Sequence, residues 1–460
     1  MDDITASLAK RVSQLSFEKL PEEVVHQFKR AFLDYLTAAI TGTQSEVTRN
    51  VLDYLKDVDK TATCTVIGTE HKLSALNAAF VNGTSAHAFD FDDGHTQGSI
   101  HLGGCVFPAV LAAAEHHGAS IRAIITASVI GYEVMARIAA AIHPHAWQRG
   151  FHNTPVTGVF GAAAAVGSLM NHDEEQMLHA LGLAGSFSGG LFEFLGEGAD
   201  VKRIHPGKAA RDGVLCAELA KRNITGPRHV LEGKNGFVRA FADGYINCER
   251  LFSGIGERFE IMEIYFKPYP CCRHLHAVID AVKVLKARHL LDIDQIEAID
   301  VGIYQVGQKH NHVQCEHLLD AQMSIPCAVA LAITQDEVTL NSYLSGAYRQ
   351  ARVAALMQKV FVMVDDECEA LYPRKRPARV TIRMKNGEVM TCFVEEPKGE
   401  GKIPFTDADV ERKFMANCSP LLGEKLCKKV LDQVWHFEEL SDLSFLKELV
   451  IPVDAYTKTD

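Results

Sequence analysis

Between Gly158 and Ala165 the chain reads Gly-Val-Phe-Gly-Ala-Ala-Ala-Ala, and this near absence of bulk limits what can be built around it. Alanine favours the helix, and side chains this small let neighbouring backbones approach closely at the expense of contact area. Such a helix belongs in the middle of a bundle. The flanking sequence agrees: Thr5 to Ser16 has amphipathic helical spacing, and Pro21 followed by Glu22 and Glu23 opens a second helix that Val24 to Thr41 continues. Proline is tolerated in a helix's first turn, and acids suit its positive end. Further helices rich in small residues are expected at Ser74 to Phe80, Val106 to His116, Ile121 to Ile142, Gly158 to Met170 and Glu174 to Ala184. The stretch from Ala123 to Ile142 approaches membrane-span length but carries Glu133 and Arg137 at i,i+4, so it reads as a core helix with one wet edge.

The pattern changes near Phe259. Glu260 to Lys267 reads as a strand, His276 to Leu290 as a helix, Ile296 to Tyr304 as a strand with alternating apolar residues, and Ser324 to Thr334 as a helix. A hairpin is expected from Ala378 to Met384 and Glu388 to Val394, turning through Lys385-Asn386-Gly387, because Asn-Gly is a strong hairpin signal. After Lys398-Gly399-Glu400-Gly401-Lys402 the helical pattern returns, from Thr406 to Leu449. The expected fold is mainly α. A large all-helical domain spans residues 1–262 and 403–460, and a smaller α+β domain is inserted at 263–402.

Charge and cysteine usage exclude several function classes. With 47 Lys+Arg against 58 Asp+Glu in 460 residues, the formal net charge of -11 argues against a general nucleic-acid binder, which needs clustered cations to release counterions. A small anionic ligand stays compatible, since screening over about 8–10 Å leaves a pocket governed by its own neighbours. Twelve cysteines are scattered from Cys64 to Cys427 without a Cys-x-x-Cys pair, which suits reduced thiols in the cytoplasm. Met1-Asp2-Asp3-Ile4-Thr5 has neither a basic nor an apolar leader pattern, so a cytoplasmic protein without a membrane partner is expected. No dinucleotide fingerprint, P-loop, Gly-x-Ser-x-Gly elbow or His-Glu-x-x-His is found.

Four clusters carry chemistry. The first, His87-Ala88-Phe89-Asp90-Phe91-Asp92-Asp93-Gly94-His95 followed by His101, suits a metal or an acid/base set, or equally a helix that ends in solvated aspartates. In the second, Gly150-Phe151-His152-Asn153-Thr154-Pro155, the position of His152 before the small-residue helix suits an anion site and a lowered imidazole pKa. Its alternative is a capping segment with Thr154 as N-cap. The third, Lys202-Arg203-Ile204-His205-Pro206-Gly207-Lys208-Ala209-Ala210-Arg211, is the densest positive patch, with a helix pattern starting after Pro206. Cations repel a helix's N-terminal dipole, so they suit an anion site better than helix stabilisation, although a solvated loop also accounts for them. The fourth is Lys267-Pro268-Tyr269-Pro270-Cys271-Cys272-Arg273-His274-Leu275-His276, where adjacent cysteines fit a single zinc ion poorly.

In order along the chain, these clusters, together with Gly131-Tyr132-Glu133-Val134, resemble the MmgE/PrpD family over essentially the whole length. The resemblance implies a helical domain with an α+β lid, assembled as a homodimer, and an active site between the domains that uses no metal and no organic cofactor. It implies a small anionic carboxylate as substrate, with Asp90, His101, His152, Lys202 and Lys267 as catalytic residues. Arg203, His205, Arg273, His274 and Cys327 then fall to substrate binding. The same acid/base groups and cations support dehydration, epimerisation or decarboxylation. Dehydration of a 2-methylcitrate-like acid is the reading adopted, with epimerisation of an N-substituted aspartate, decarboxylation of cis-aconitate and a non-catalytic scaffold as alternatives. Gly94 stands where the decarboxylase pattern has threonine, Cys327 where a tyrosine is common, and the gap from Asp93 to His101 differs by about one residue, all of which tell against decarboxylation.

Overall fold

Apolar residues at helical spacing bury one face of each N-terminal segment, and the segments stack accordingly. In the computed structural model, which describes residues 3–194, 199–399, 401 and 403–452, these are α1 (Ile4–Ser13), α2 (Glu22–Gly42), α3 (Glu46–Val58), α4 (Ala75–His87), α5 (Gly103–His117), α6 (Ile121–Ile142), α7 (Asn153–Leu169), α8 (Glu174–Phe187) and α9 (Val201–Lys221). They belong to the first of two units, which takes the chain up to Ala88, Asp92–Tyr265 and from Asp407 onward. Two further helices of that unit, Asp407–Leu422 and Glu424–Trp435, lie against α2, with Lys413 Nζ 2.6 Å from Asp34 Oδ1.

The small-residue helix α7 packs between α6 and α9. A Cβ added at Gly161 would lie 2.7 Å from Met135 Cβ and 2.8 Å from the Gly131 carbonyl, so only glycine permits that approach to α6. The expected wet edge of α6 is absent. Glu133 and Arg137 are both fully buried, with Arg137 Nε 2.7 Å from Glu133 Oε2 and its guanidinium donating to the Ser253 and Arg258 carbonyls at 2.8 Å each. A salt bridge at i,i+4 reads the same in sequence whether it faces water or polar backbone, and here it faces backbone. Although long and apolar enough to cross a membrane, α6 is therefore a core helix.

The strand expected over Glu260–Lys267 is instead a 3₁₀ turn, Glu260–Glu263, followed by a two-residue strand, Ile264–Tyr265, antiparallel to Gly94–His95. Glu260 causes the bend: its carboxylate takes both Arg250 nitrogens at 2.7 Å and His95 at 3.2 Å, and its amide donates to Glu133.

The second unit comprises Phe89–Phe91 and Phe266–Thr406. Its strands β1 (Ile296–Ile303), β2 (Val360–Val364), β3 (Ala378–Met384) and β4 (Val389–Val394) form one sheet in the order β2-β1-β3-β4. β2 runs parallel to β1, and the others are antiparallel, with Ile299 opposite Ile382 and Thr381 opposite Thr391. The hairpin turns at Gly387, whose φ of +87° suits glycine. Alternation along β3 buries Val380, Ile382 and Met384, and α10 (His276–Arg288) and α11 (Ile325–Thr334) share this core. Of the expected linker, Glu400 and Lys402 lie outside the described residues, and the change of unit falls at Thr406–Asp407.

Candidate active site

In the first unit, four imidazoles converge where α4 ends and α7 and α9 begin. His87, the last residue of α4, has Nδ1 3.0 Å from both carboxylate oxygens of the buried Asp92. Its Nε2 is buried without a hydrogen-bond partner among the described residues. The His101 ring lies 4.8 Å away, centroid to centroid. His101 Nδ1 donates to the Asp93 carbonyl at 2.9 Å, which in the neutral ring leaves Nε2 as the basic nitrogen. The Asp93 carboxyl accepts from the Gly103 amide at 2.8 Å and the Tyr132 hydroxyl at 2.7 Å. Burial and nearby Asp34 still push it up to about 7.

His152 and His205 face one another with Nδ1 2.9 Å from Nδ1. His152 is held well below the usual imidazole range, chiefly by burial and then by His205, His87 and Lys202; burial, His87, Lys208 and Lys202 hold His205 at about 4. Both rings are therefore neutral at pH 7. Two neutral imidazoles carry two protons, and the Nδ1···Nδ1 hydrogen bond uses one of them. The ring that donates has a free lone pair on Nε2, and the ring that accepts carries Nε2–H. One base and one acid are thus present together, whichever way round the pair is set.

Lys202 lies in the first turn of α9 and is buried. Arg203 Nε is 3.5 Å from Asp200 Oδ1. The helix expected after Pro206 in fact starts at Val201 and carries Pro206 inside it. A proline near a helix start forfeits a single backbone bond, here the one to Lys202, and the preceding turn remains helical.

In the second unit, Asp90 adopts a left-handed backbone, φ +54°, which aspartate tolerates better than most residues. Phe89 and Phe91 on either side pack against Leu340, and Gln322 Nε2 holds the Phe89 carbonyl at 2.7 Å. Lys267 Nζ, itself buried, donates to the Asp90 carbonyl at 2.9 Å and to Oδ1 at 2.7 Å. Arg273 Nη1 donates to His276 Nδ1 at 2.9 Å and to the Lys398 carbonyl at 3.1 Å, while His276 Nε2 donates to the Cys271 carbonyl at 3.2 Å. His274 Nδ1 is 2.5 Å from the Tyr304 hydroxyl. Burial and these cations hold His274 and His276 well below the usual imidazole range.

Comparison with known proteins matches residues 6–248 to the MmgE/PrpD N-terminal domain and residues 269–437 to the MmgE/PrpD C-terminal domain. The chain belongs to the MmgE/PrpD family. It is 27% identical to a cis-aconitate decarboxylase of Aspergillus terreus, over 97% of this chain and 96% of that protein. It is also 27% identical to the cis-aconitate decarboxylase of Homo sapiens, over 98% and 95%. A cis-aconitate decarboxylase-like protein of Aspergillus oryzae is 25% identical, over 97% of each chain.

Within this MmgE/PrpD chain, the structure gathers His101, His152, Lys202 and His205 in the first unit and Asp90, Lys267, Arg273 and His274 in the second. Cys327 is buried, and its thiol interacts with Cys315, Cys271 and Tyr343. Asp90, Asp92 and Asp93 are buried, so they are no solvated helix stop. Thr154 does not cap α7; its hydroxyl accepts from the His101 amide at 3.1 Å, and the N-cap residue is His152. The lowered pKa expected for His152 is found, with burial rather than the helix end as its first cause. Gly94 has a local reason, since a Cβ there would lie 2.3 Å from the Tyr265 hydroxyl. For His87, Asp92, Asp93 and Tyr132 the sequence offers at most membership of a metal or acid/base cluster, and their partners in space supply the individual roles.

Proposed function

We propose that this chain is a lyase that removes a proton α to a carboxylate of a di- or tricarboxylic acid, with dehydration of a 2-methylcitrate-like acid as its reaction. The observation that carries this reading is the neutral His152–His205 pair beside buried Lys202. Elimination of a β-hydroxyl needs a base for the α-proton and an acid for the departing oxygen, and the pair holds one of each. Positioned groups of this kind contribute about 10²–10⁴-fold. Charge that accumulates on the carboxylate as an enediolate is stabilised by fixed cations, for which Lys202 and Arg203 serve in the first unit. Lys267 and Arg273 are suited to a carboxylate in the second. His101, its Nδ1 proton committed to the Asp93 carbonyl, serves as a further base.

Decarboxylation of cis-aconitate is the second reading, favoured by the relatives that bear that name. Loss of CO₂ requires an electron sink and a proton donor but no base, so the acid/base pair supports dehydration more directly. Citrate, methylcitrate, cis-aconitate and N-succinyl amino acids, each incubated in D₂O and followed by proton NMR with CO₂ detection, separate the outcomes. An alkene formed with loss of water supports the dehydratase. Release of CO₂ replaces it with the decarboxylase, and deuterium uptake alone replaces it with the epimerase. Absence of all three overturns the enzymatic reading. The chemistry assigned to these residues needs no metal, so EDTA should leave turnover unchanged; activity lost to EDTA and restored by zinc or iron would overturn that part.

A further inference from the structure

The loop before α11 brings His310 to the Pro-Cys-Cys-Arg-His segment of the second unit. One donor atom each from Cys272, His274 and His310 lies within 4.8 Å of the other two. We propose that these three side chains form a binding site for a thiophilic transition-metal ion, zinc above all, with a fourth position open to water or a carboxylate. The sequence spacing alone argued against zinc because Cys271 and Cys272 are adjacent, but only Cys272 takes part, and the third ligand comes from a different loop.

The donor set and its surroundings both support the site. Sulfur and imidazole are the ligands zinc prefers, at about 2.3 Å and 2.0–2.1 Å, which places tetrahedral ligand atoms roughly 3.5 Å apart. Rotamer adjustments of about one ångström close the present group to that size. Metal-bound histidines characteristically anchor their second nitrogen on an oxygen. His274 Nδ1 is on the Tyr304 hydroxyl at 2.5 Å, and Tyr304 is fixed by stacking on Tyr372 at 4.2 Å. His274 thus has one nitrogen tied down and the other left for an ion. The His310 carbonyl accepts from the Ile325 amide at 2.8 Å, which fixes the backbone that carries the third ligand. All three residues are half-buried, which leaves an ion a path from solvent.

Arg376, Lys267 and Arg273 are close enough to His274 to depress its pKa, and they oppose a dication. The same cations favour an anionic fourth ligand. On binding, the Cys272 thiol proton passes to solvent, one metal–sulfur and two metal–nitrogen bonds form, and the oxidation state of zinc is unchanged.

The test uses the full-length protein, stripped with chelator and titrated with Zn²⁺ in competition with a chromogenic chelator, and separately with Co²⁺. One equivalent of zinc is expected, together with the thiolate-to-cobalt charge-transfer band and the intense visible bands of four-coordinate cobalt. Cys272→Ser should abolish the charge-transfer band, and Tyr304→Phe, which leaves all three ligands in place, should weaken zinc binding about 10–100-fold. Circular dichroism melts of the metal-free variants show whether they fold. No stoichiometric zinc, or a charge-transfer band that persists in folded C272S, overturns the site. The readout needs no substrate, so it succeeds or fails independently of the proposed lyase activity.

Discussion

The crossing of α4 and α9 offers the sharpest test of how the fold builds the imidazole group. A Cβ placed on Gly207 would lie 2.2 Å from the Phe80 carbonyl oxygen, 2.6 Å from Thr84 Oγ1 and 2.8 Å from the Thr84 amide. Against an ordinary carbon contact of about 3.5 Å, the shortfall is roughly one ångström. Two of the three obstacles are backbone, so no rotamer change relieves them, and α4 must move away from α9. Gly83 gives the reciprocal limit, since a Cβ there would lie 2.6 Å from Gly207 Cα. Overpacking of this kind costs about 1–3 kcal/mol, and alanine's helix propensity returns at most about 1 kcal/mol. At about 1–1.5 °C per kcal/mol for a chain of this length, Gly207→Ala should lower the melting temperature by about 1–3 °C. The functional effect should be larger. α9 carries Lys202 and His205 and α4 carries His87, and a displacement of about 1 Å between catalytic groups costs roughly 10²-fold in turnover. Differential scanning calorimetry and the turnover assay measure both quantities. Gly189→Ala, where an added Cβ meets nothing within 4 Å, is the control for stability. A G207A protein that melts and turns over like the wild type would refute the reasoning.

Three further outcomes follow from the same geometry. Lys202→Ala should lower kcat by at least about 10²-fold with the melting temperature little changed, and unchanged turnover would remove Lys202 from the site. His172, buried and held at about 4 mainly by burial, takes up its proton near pH 6.5 when unfolded but not when native, so stability falls as pH drops from 6.5 to 4. His172→Asn should flatten the stability curve in that window by about 1.4 kcal/mol per pH unit, and denaturant midpoints across it would show an unchanged slope if the reasoning fails. Tyr132→Phe removes a donor to the buried Asp93 carboxyl and should cost about 1–3 kcal/mol. Asp93 is already raised to about 7, so native stability drains away between pH 4 and 7; loss of the hydroxyl should extend that decline upward and make the variant's deficit larger at pH 8 than at pH 6. Equal deficits at the two pH values would separate Tyr132 from the charge of Asp93.

Much of the fold was legible because its periodicities are strong. α6 and α7 announce themselves by composition, and the β3–β4 hairpin by alternation around Asn386-Gly387. The failures have physical causes. Glu260 bends an apparent strand because Arg250 and His95 hold its carboxylate. Pro206 reads as a helix start, yet α9 begins five residues earlier. Asp90, Asp92 and Asp93 were compatible with a solvated helix end, and burial decided otherwise. Residue type alone does not distinguish a charge that meets water from one that meets a buried partner.

The sequence by itself determined the helical class, the family and the short segments in which the chemistry is concentrated, because these depend on local pattern and on residue order. Only the tertiary structure decided how the polar groups pair: His152 with His205, His87 with Asp92, Tyr132 with Asp93, Asp90 with Lys267, and His310 with Cys272 and His274. The first four pairs meet at 2.7–3.0 Å, and the donor atoms of the last group lie within 4.8 Å of one another. Such distances are a property of packing, which no single segment of the chain contains.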